Sequence, residues 1–226
     1  MFLDPQYMAI MLIGLLLGFI TQGYVNSAYR KWSRVDLATG RSGAEVARLM
    51  LDSEGLHNVG IEMVSGHLTD HYDPRANVLR LSTDVYNGRS VASAGVAAHE
   101  AGHAVQHARD YVPARIRMAL VPAANFGSQA SWLLIIVGLW IGVFQLAWVG
   151  VAAFGLAVLF QLVTLPVEFD ASSRAMQALS TTGTLPTEQV SGARNVLTAA
   201  SLTYVAAALI SVMQLLYWIG VVGRRD

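Results

Sequence analysis

The stretch "VAAHEAGHAVQHARD", residues 96–110, sets His99, His103 and His107 four residues apart, with Glu100 directly after the first. On an α-helix, residues four apart lie on one face, one turn above the other. His99 and His103 can therefore offer imidazoles to one cation, as H-E-x-x-H helices do. Glu100 is turned about 100° around the axis, beside such a cation rather than on it. Its carboxylate is placed to hold a water, take its proton and return that proton to a leaving amine. Zinc in such a site lowers the pKa of water to about 7, which makes the attack feasible at neutral pH. The competing reading is a polar stripe on an apolar helix. With six His and six Glu in the chain, a random H-E-x-x-H has odds of about 0.4%, so the pattern is informative. The Ala, Gly and Val residues around it would also let a neighbouring helix and a substrate approach closely.

Two imidazoles do not complete a catalytic zinc site, which takes three protein ligands and keeps one position open. His107 is one further turn along, too far up a straight helix to close a tetrahedron with the first two. The extended zincin pattern places Gly three and His six residues beyond the second His, so that the chain turns back. Gln106 and Arg109 stand there instead. His107 reads as a cap or rim residue.

Composition shows what must position a third ligand. The 226 residues are 54% hydrophobic and 13% charged, with mean hydropathy +0.46, whereas soluble domains run nearer a quarter charged. This is the balance of a membrane protein. The formal net charge of zero gives no basic signal for nucleic acid, which is not an expected partner. Cys is absent, which excludes disulfides, thiolate ligands and cysteine nucleophiles and leaves His, Asp and Glu to hold a metal.

Four apolar runs, about 6–25, 118–143, 147–167 and 201–222, are each long enough to cross a bilayer. No charged residue lies between Arg117 and Glu168, and a tight turn near Gln145 makes the middle two a hairpin. Asp4 precedes the first run, and Arg30, Lys31 and Arg34 follow it. That favours an uncleaved anchor with its N-terminus outside. Thirteen of the fifteen Lys and Arg then fall on the cytoplasmic side, with Arg224 and Arg225 outside.

The polar remainder, about 26–117 and 168–200, reads as a small α+β layer. "RSGAEVARLMLDSEG" is a helix with Ser42 and Glu45 at capping-box spacing and Gly55 as its stop. "NVGIEMVSG" and "VLRLS" (78–82) read as two paired strands, with "LTDHYDPRAN" between them as a turn broken at Asp73-Pro74. Ser90 caps the motif helix, which runs to about Asp110. The expected architecture is mainly α: a multi-pass membrane protein with about four transmembrane helices and a small cytoplasmic zincin-like α+β portion. We take it as one domain, 1–226.

In this topology the chain leaves the motif's side of the membrane after Arg117 and returns at "LPVEFDASSRA". The first carboxylates on return are Glu168 and Asp170, which point about 200° apart on a helix. Only one can face a cation held by His99 and His103, and spacing leaves open which. Glu168 could also simply mark the polar edge of a span.

"LTDHYDPR", "LRLS", "VAAHEAGHAVQH", "LPVEFDAS" and "LTYVAA" together resemble the YugP-like family of neutral membrane zinc metallopeptidases, over about residues 36–215. More distantly, the layout is similar to HtpX-type and CAAX-prenyl-type membrane proteases. The resemblance implies one Zn2+ per chain at His99, His103 and Glu168, with Glu100 as catalytic base and Asp170 as the alternative third ligand. One departure stands out. The HtpX-type pattern has Asp four residues after the ligand Glu, where this chain has Ser172.

"TDHYD" (69–73) groups ionisable side chains, and His71 or Tyr72 could stabilise an oxyanion, although a hydrogen-bonded turn is the more ordinary account of the cluster. Arg174 could serve similarly or be a basic residue at the membrane surface. Strand 78–82 could bind extended peptide by backbone pairing. These features lead to a zinc endopeptidase of the bacterial cell membrane, with its site on the cytoplasmic side and membrane or membrane-proximal proteins as substrates. The alternative is a zinc-binding membrane adaptor or scaffold without proteolysis. An intramembrane site-2 protease is set aside, because Leu-Asp-Gly is missing and Arg109, Asp110 and Arg115 closely follow the motif.

Overall fold

The computed structural model describes residues 4–224. Its elements are α1 (Pro5–Trp32), α2 (Gly43–Ser53), β1 (Gly60–Val64), β2 (His71–Asp73), β3 (Val78–Ser82), α3 (Thr83–Tyr86), α4 (Val91–Ala108), α5 (Val112–Ile141), α6 (Phe144–Thr181) and α7 (Thr187–Gly223). Among the described residues, α1, α5, α6 and α7 are long and apolar enough to cross a membrane. The protein is a mainly helical, multi-pass membrane protein with a small α+β portion. Arg225 lies outside the described residues.

The chain divides into two compact units. Unit 1 holds the chain up to Ile20, Val112–Pro166 and the chain from Thr203 onward. Its outer faces carry Leu12, Phe19, Phe126, Leu133 and Trp140 exposed, a pattern that water penalises and lipid does not. Inside, Tyr7, Trp132, Tyr217 and Trp218 stack edge-on or tilted, with ring centroids 5.1–6.1 Å apart. The hairpin between α5 and α6 turns at Gly142, φ +75°. There the Val143 N–H donates to the Gly138 carbonyl at 2.9 Å, the closing bond of a Schellman turn. The turn thus falls two to three residues before the expected Gln145.

Unit 2 comprises Thr21–Tyr111 and Val167–Leu202. α2 begins with a full capping box: the Ser42 N–H donates to Glu45 Oε2 at 2.6 Å and the Glu45 N–H to Ser42 Oγ at 3.3 Å. It stops at Gly55, φ +76°. The sheet has the order β1-β3-β2, with β1 parallel and β2 antiparallel to β3. Two expectations are corrected here. Residues 71–73, read as part of a turn, form a strand that ends just before Pro74, where the missing N–H would first be felt. Strand 78–82 is the central one, so both its backbone edges are taken and it cannot pair with a peptide. Arg80 on β3 holds the layer together, meeting Asp73 of β2 and Glu62 of β1, the latter at 3.4 Å. Its hydrogen bond to Asp73 holds that carboxyl down to about 2.

At the core of unit 2 lies α4, capped by Ser90, whose Oγ accepts from the Ser93 N–H at 3.1 Å. Ala92, Ala94, Ala97, Ala98, Ala101, Ala104 and Val105 are all buried. Such short side chains let three helices reach it. A Cβ on Gly43 of α2 would lie 3.1 Å from the Ser93 carbonyl oxygen of α4, one on Gly95 would lie 3.6 Å from Ala193 of α7, and one on Gly102 would lie 2.7 Å from the Ala171 carbonyl oxygen of α6. The stretch 168–181, read as the start of the second polar segment, continues α6 and buries Ala171, Ala175 and Leu179 at four-residue spacing.

The two α4 glycines therefore predict opposite outcomes. Gly102→Val should destabilise the protein by about 1–3 kcal/mol through overpacking against backbone. Gly95→Ala should be neutral or stabilising by up to about 1 kcal/mol through helix propensity. Thermal midpoints in detergent compare the two.

Candidate metal centre

His99, His103 and Glu168 converge in unit 2. Each offers one ligand atom, and these atoms lie within 4.8 Å of one another. His99 Nε2 is 3.2 Å and His103 Nε2 3.7 Å from Glu168 Oε2. Around a tetrahedral zinc with bonds of about 2.0–2.1 Å, ligand atoms stand about 3.3 Å apart, so the donor set fits that ion. The two rings sit edge-on, centroids 4.8 Å apart, as expected of residues one turn apart with both Nε2 atoms aimed the same way. Glu168 is only 2% exposed. A carboxylate so far from water needs a cation or strong donors beside it.

The outward-facing ring nitrogens are also held. His99 Nδ1 lies 3.2 Å from Ser172 Oγ, so the position where the HtpX-type pattern has Asp still reaches the first histidine. His103 Nδ1 lies 3.0 Å from Gln106 Oε1. Gln106, 1% exposed, donates through Nε2 to the Val167 carbonyl at 2.7 Å and to Asp170 Oδ2 at 2.8 Å. Asp170 also accepts from Arg174 Nε at 2.6 Å, and the Arg174 guanidinium lies 5.9 Å from the Tyr111 ring centroid. Asp170 thus faces Gln106 and Arg174, outside the ligand cluster. Burial works against a charged His103, and its contact with Glu168, with Glu100 nearby, more than offsets this, so its pKa is raised. The pocket favours positive charge where a metal would lie.

Glu100 is partly exposed on α4. Asp70 lies near enough to feel it. Burial raises the Asp70 pKa and Glu100 adds to the rise, against hydrogen bonds from the Ser82 N–H at 2.7 Å and Ser82 Oγ at 3.0 Å. The sequence cluster 69–73 contains Asp70, but its structural part is not evident without knowing that Ser82 lies opposite. His107 is exposed at the end of α4, with its ring 5.9 Å from that of Tyr72, and lies outside the metal cluster. His71 Nδ1 is 2.8 Å from the Thr69 carbonyl, and Tyr72 donates its hydroxyl to Asn77 Oδ1 at 2.9 Å. Tyr72 would have to change partner to serve as an oxyanion donor, whereas His71 is held only through Nδ1.

Over residues 7–223 the chain matches the model of a family described as "putative neutral zinc metallopeptidase". The chain belongs to this family. It is 47% identical over 203 residues, 90% of each chain, to a Bacillus subtilis (strain 168) protein named "putative membrane protease YugP". No solved structure matches. Zinc is the cation this metallopeptidase family implies, and three nitrogen and oxygen donors around one point suit it.

Metal analysis of purified protein tests the third ligand. Glu168→Gln should lose zinc, since an amide is a poor ligand, whereas Asp170→Asn should still bind one zinc per chain when loaded. The reverse result would exchange their roles.

Proposed function

We propose that the protein is a zinc endopeptidase acting on membrane or membrane-proximal proteins, with its site at the cytoplasmic membrane surface. The observation that carries this reading is the meeting of His99, His103 and Glu168 next to a helix-borne Glu100. Zinc bound there would polarise the scissile carbonyl and acidify the attacking water. Glu100 takes a proton from that water as the oxygen attacks, and gives it to the departing nitrogen as the C–N bond breaks. Its station one residue after His99 suits this, because a neighbouring position on the helix flanks the ligand face without competing for the metal.

Substrate binding is assigned to β2, which packs against α4. Its partner β3 occupies one edge, and no strand pairs with the other among the described residues. An extended peptide could add there by backbone pairing. Oxyanion stabilisation falls to zinc, with His71 through Nε2 or Arg174 through its terminal guanidinium N–H groups as further donors, and Tyr72 only on leaving Asn77. The orientation rests on the basic residues, concentrated in the segments that unit 2 comprises.

Two outcomes are expected. Glu100→Gln should keep its zinc and thermal midpoint but cleave a membrane-proximal test peptide about 10²–10⁴-fold more slowly. Unchanged cleavage would exclude the assigned base, and no cleavage by the zinc-loaded wild type on any membrane-protein panel would favour the scaffold. Because the chain has no Cys, a Ser65→Cys protein offers a single reporter on unit 2. It should resist an impermeant maleimide in intact cells and react after lysis; labelling in intact cells would reverse the orientation.

A further inference from the structure

We infer that Gln106 is a positioning residue for the metal centre, fixing His103 with its Nε2 lone pair free for the ion. This rests on His99, His103 and Glu168 as the ligand set. A buried amide is normally ambiguous, since its oxygen and nitrogen can exchange places. Here its surroundings decide. The Val167 carbonyl and the Asp170 carboxylate both only accept, so each requires an N–H from Gln106. Both amide protons are thereby used, and Oε1 must face His103 as an acceptor. His103 Nδ1 must then carry a hydrogen, which leaves Nε2, the atom facing Glu168, as the ligand.

Asp170 makes the orientation binding. Reversing the amide would place its oxygen against both the Val167 carbonyl and a carboxylate. Arg174 holds Asp170 in this position through the 2.6 Å bond from Nε. The order His103–Gln106–Asp170–Arg174 does, through one intervening amide, what a carboxylate beside a metal-binding histidine does directly. His99 differs. Its Nδ1 meets a serine hydroxyl, which can donate or accept and so imposes no ring state. Gln106 also joins α4 to the helix that carries Glu168, so one side chain sets both a ring state and a helix spacing.

The test uses full-length protein in detergent, with zinc affinity measured by chelator competition and thermal midpoints measured metal-free. Gln106→Met keeps chain length and removes the hydrogen bonds; it should weaken zinc binding about 10–100-fold. Gln106→Glu should also weaken it, because the new carboxylate faces Asp170. The double variant Gln106→Glu/Asp170→Asn removes the clash with Asp170 but leaves the Val167 carbonyl facing an acceptor, so it should recover part of that loss. Zinc binding by Gln106→Met within twofold of wild type would overturn the inference, as would failure of the double variant to improve on Gln106→Glu. A lower metal-free midpoint with unchanged affinity would reduce Gln106 to a packing role and overturn it too. If Glu168→Gln keeps its zinc, the ligand set itself fails; if it loses zinc while Gln106→Met does not, only this inference fails.

Discussion

Everything at the centre depends on two helices coming close enough for side chains from both to share one ion. His99 and His103 lie on α4 and Glu168 on α6, some 65 residues further along the chain. Imidazole and carboxylate are short, so the backbones must nearly touch. Gly102, between the two histidines in sequence, removes the Cβ that would strike the Ala171 carbonyl. The same need explains why α4 is built from Ala, Gly and Val: a helix gripped from several sides has no room for longer apolar groups. The composition of the motif helix is thus a consequence of the ligand geometry.

Close approach also concentrates charge. Glu168 is almost wholly buried and sits between two rings whose other nitrogens are already engaged. Stranding a carboxylate in such a place costs several kcal/mol unless a positive partner is present. The raised pKa of His103 expresses the same preference from the other side. A proton on the ring and a metal ion compete for one position, so metal binding here depends on pH.

Much of this was legible in the sequence, because it rests on local periodicity. The capping box at Ser42 and Glu45, the Ser90 cap, the four apolar helices and the His99/His103 face all follow from spacing alone. The approach of Glu168 to α4 was open to reasoning because a membrane hairpin constrains where the chain returns, but the choice between two carboxylates was not. They differ by about 200° of helix rotation, and the phase of α6 is set by Ala171, Ala175 and Leu179 packing inward. That four-residue stripe also marks 168–181 as helix, and polarity masks it. β2 was hidden by Pro74, whose turn signal is stronger than that of a three-residue strand.

Gln106 was missed for a different reason. It stands three residues after His103, where a helix places neighbours on one face, so its contact with the ring was within reach of spacing arguments. Its importance was not, because glutamine is chemically quiet in isolation. Only the acceptors around it, a carbonyl and a carboxylate brought by α6, turn a neutral amide into a group with one permitted orientation. The sequence displays the donors and acceptors separately. Tertiary structure decides which of them face each other, and so which nitrogen of His103 is left to bind metal.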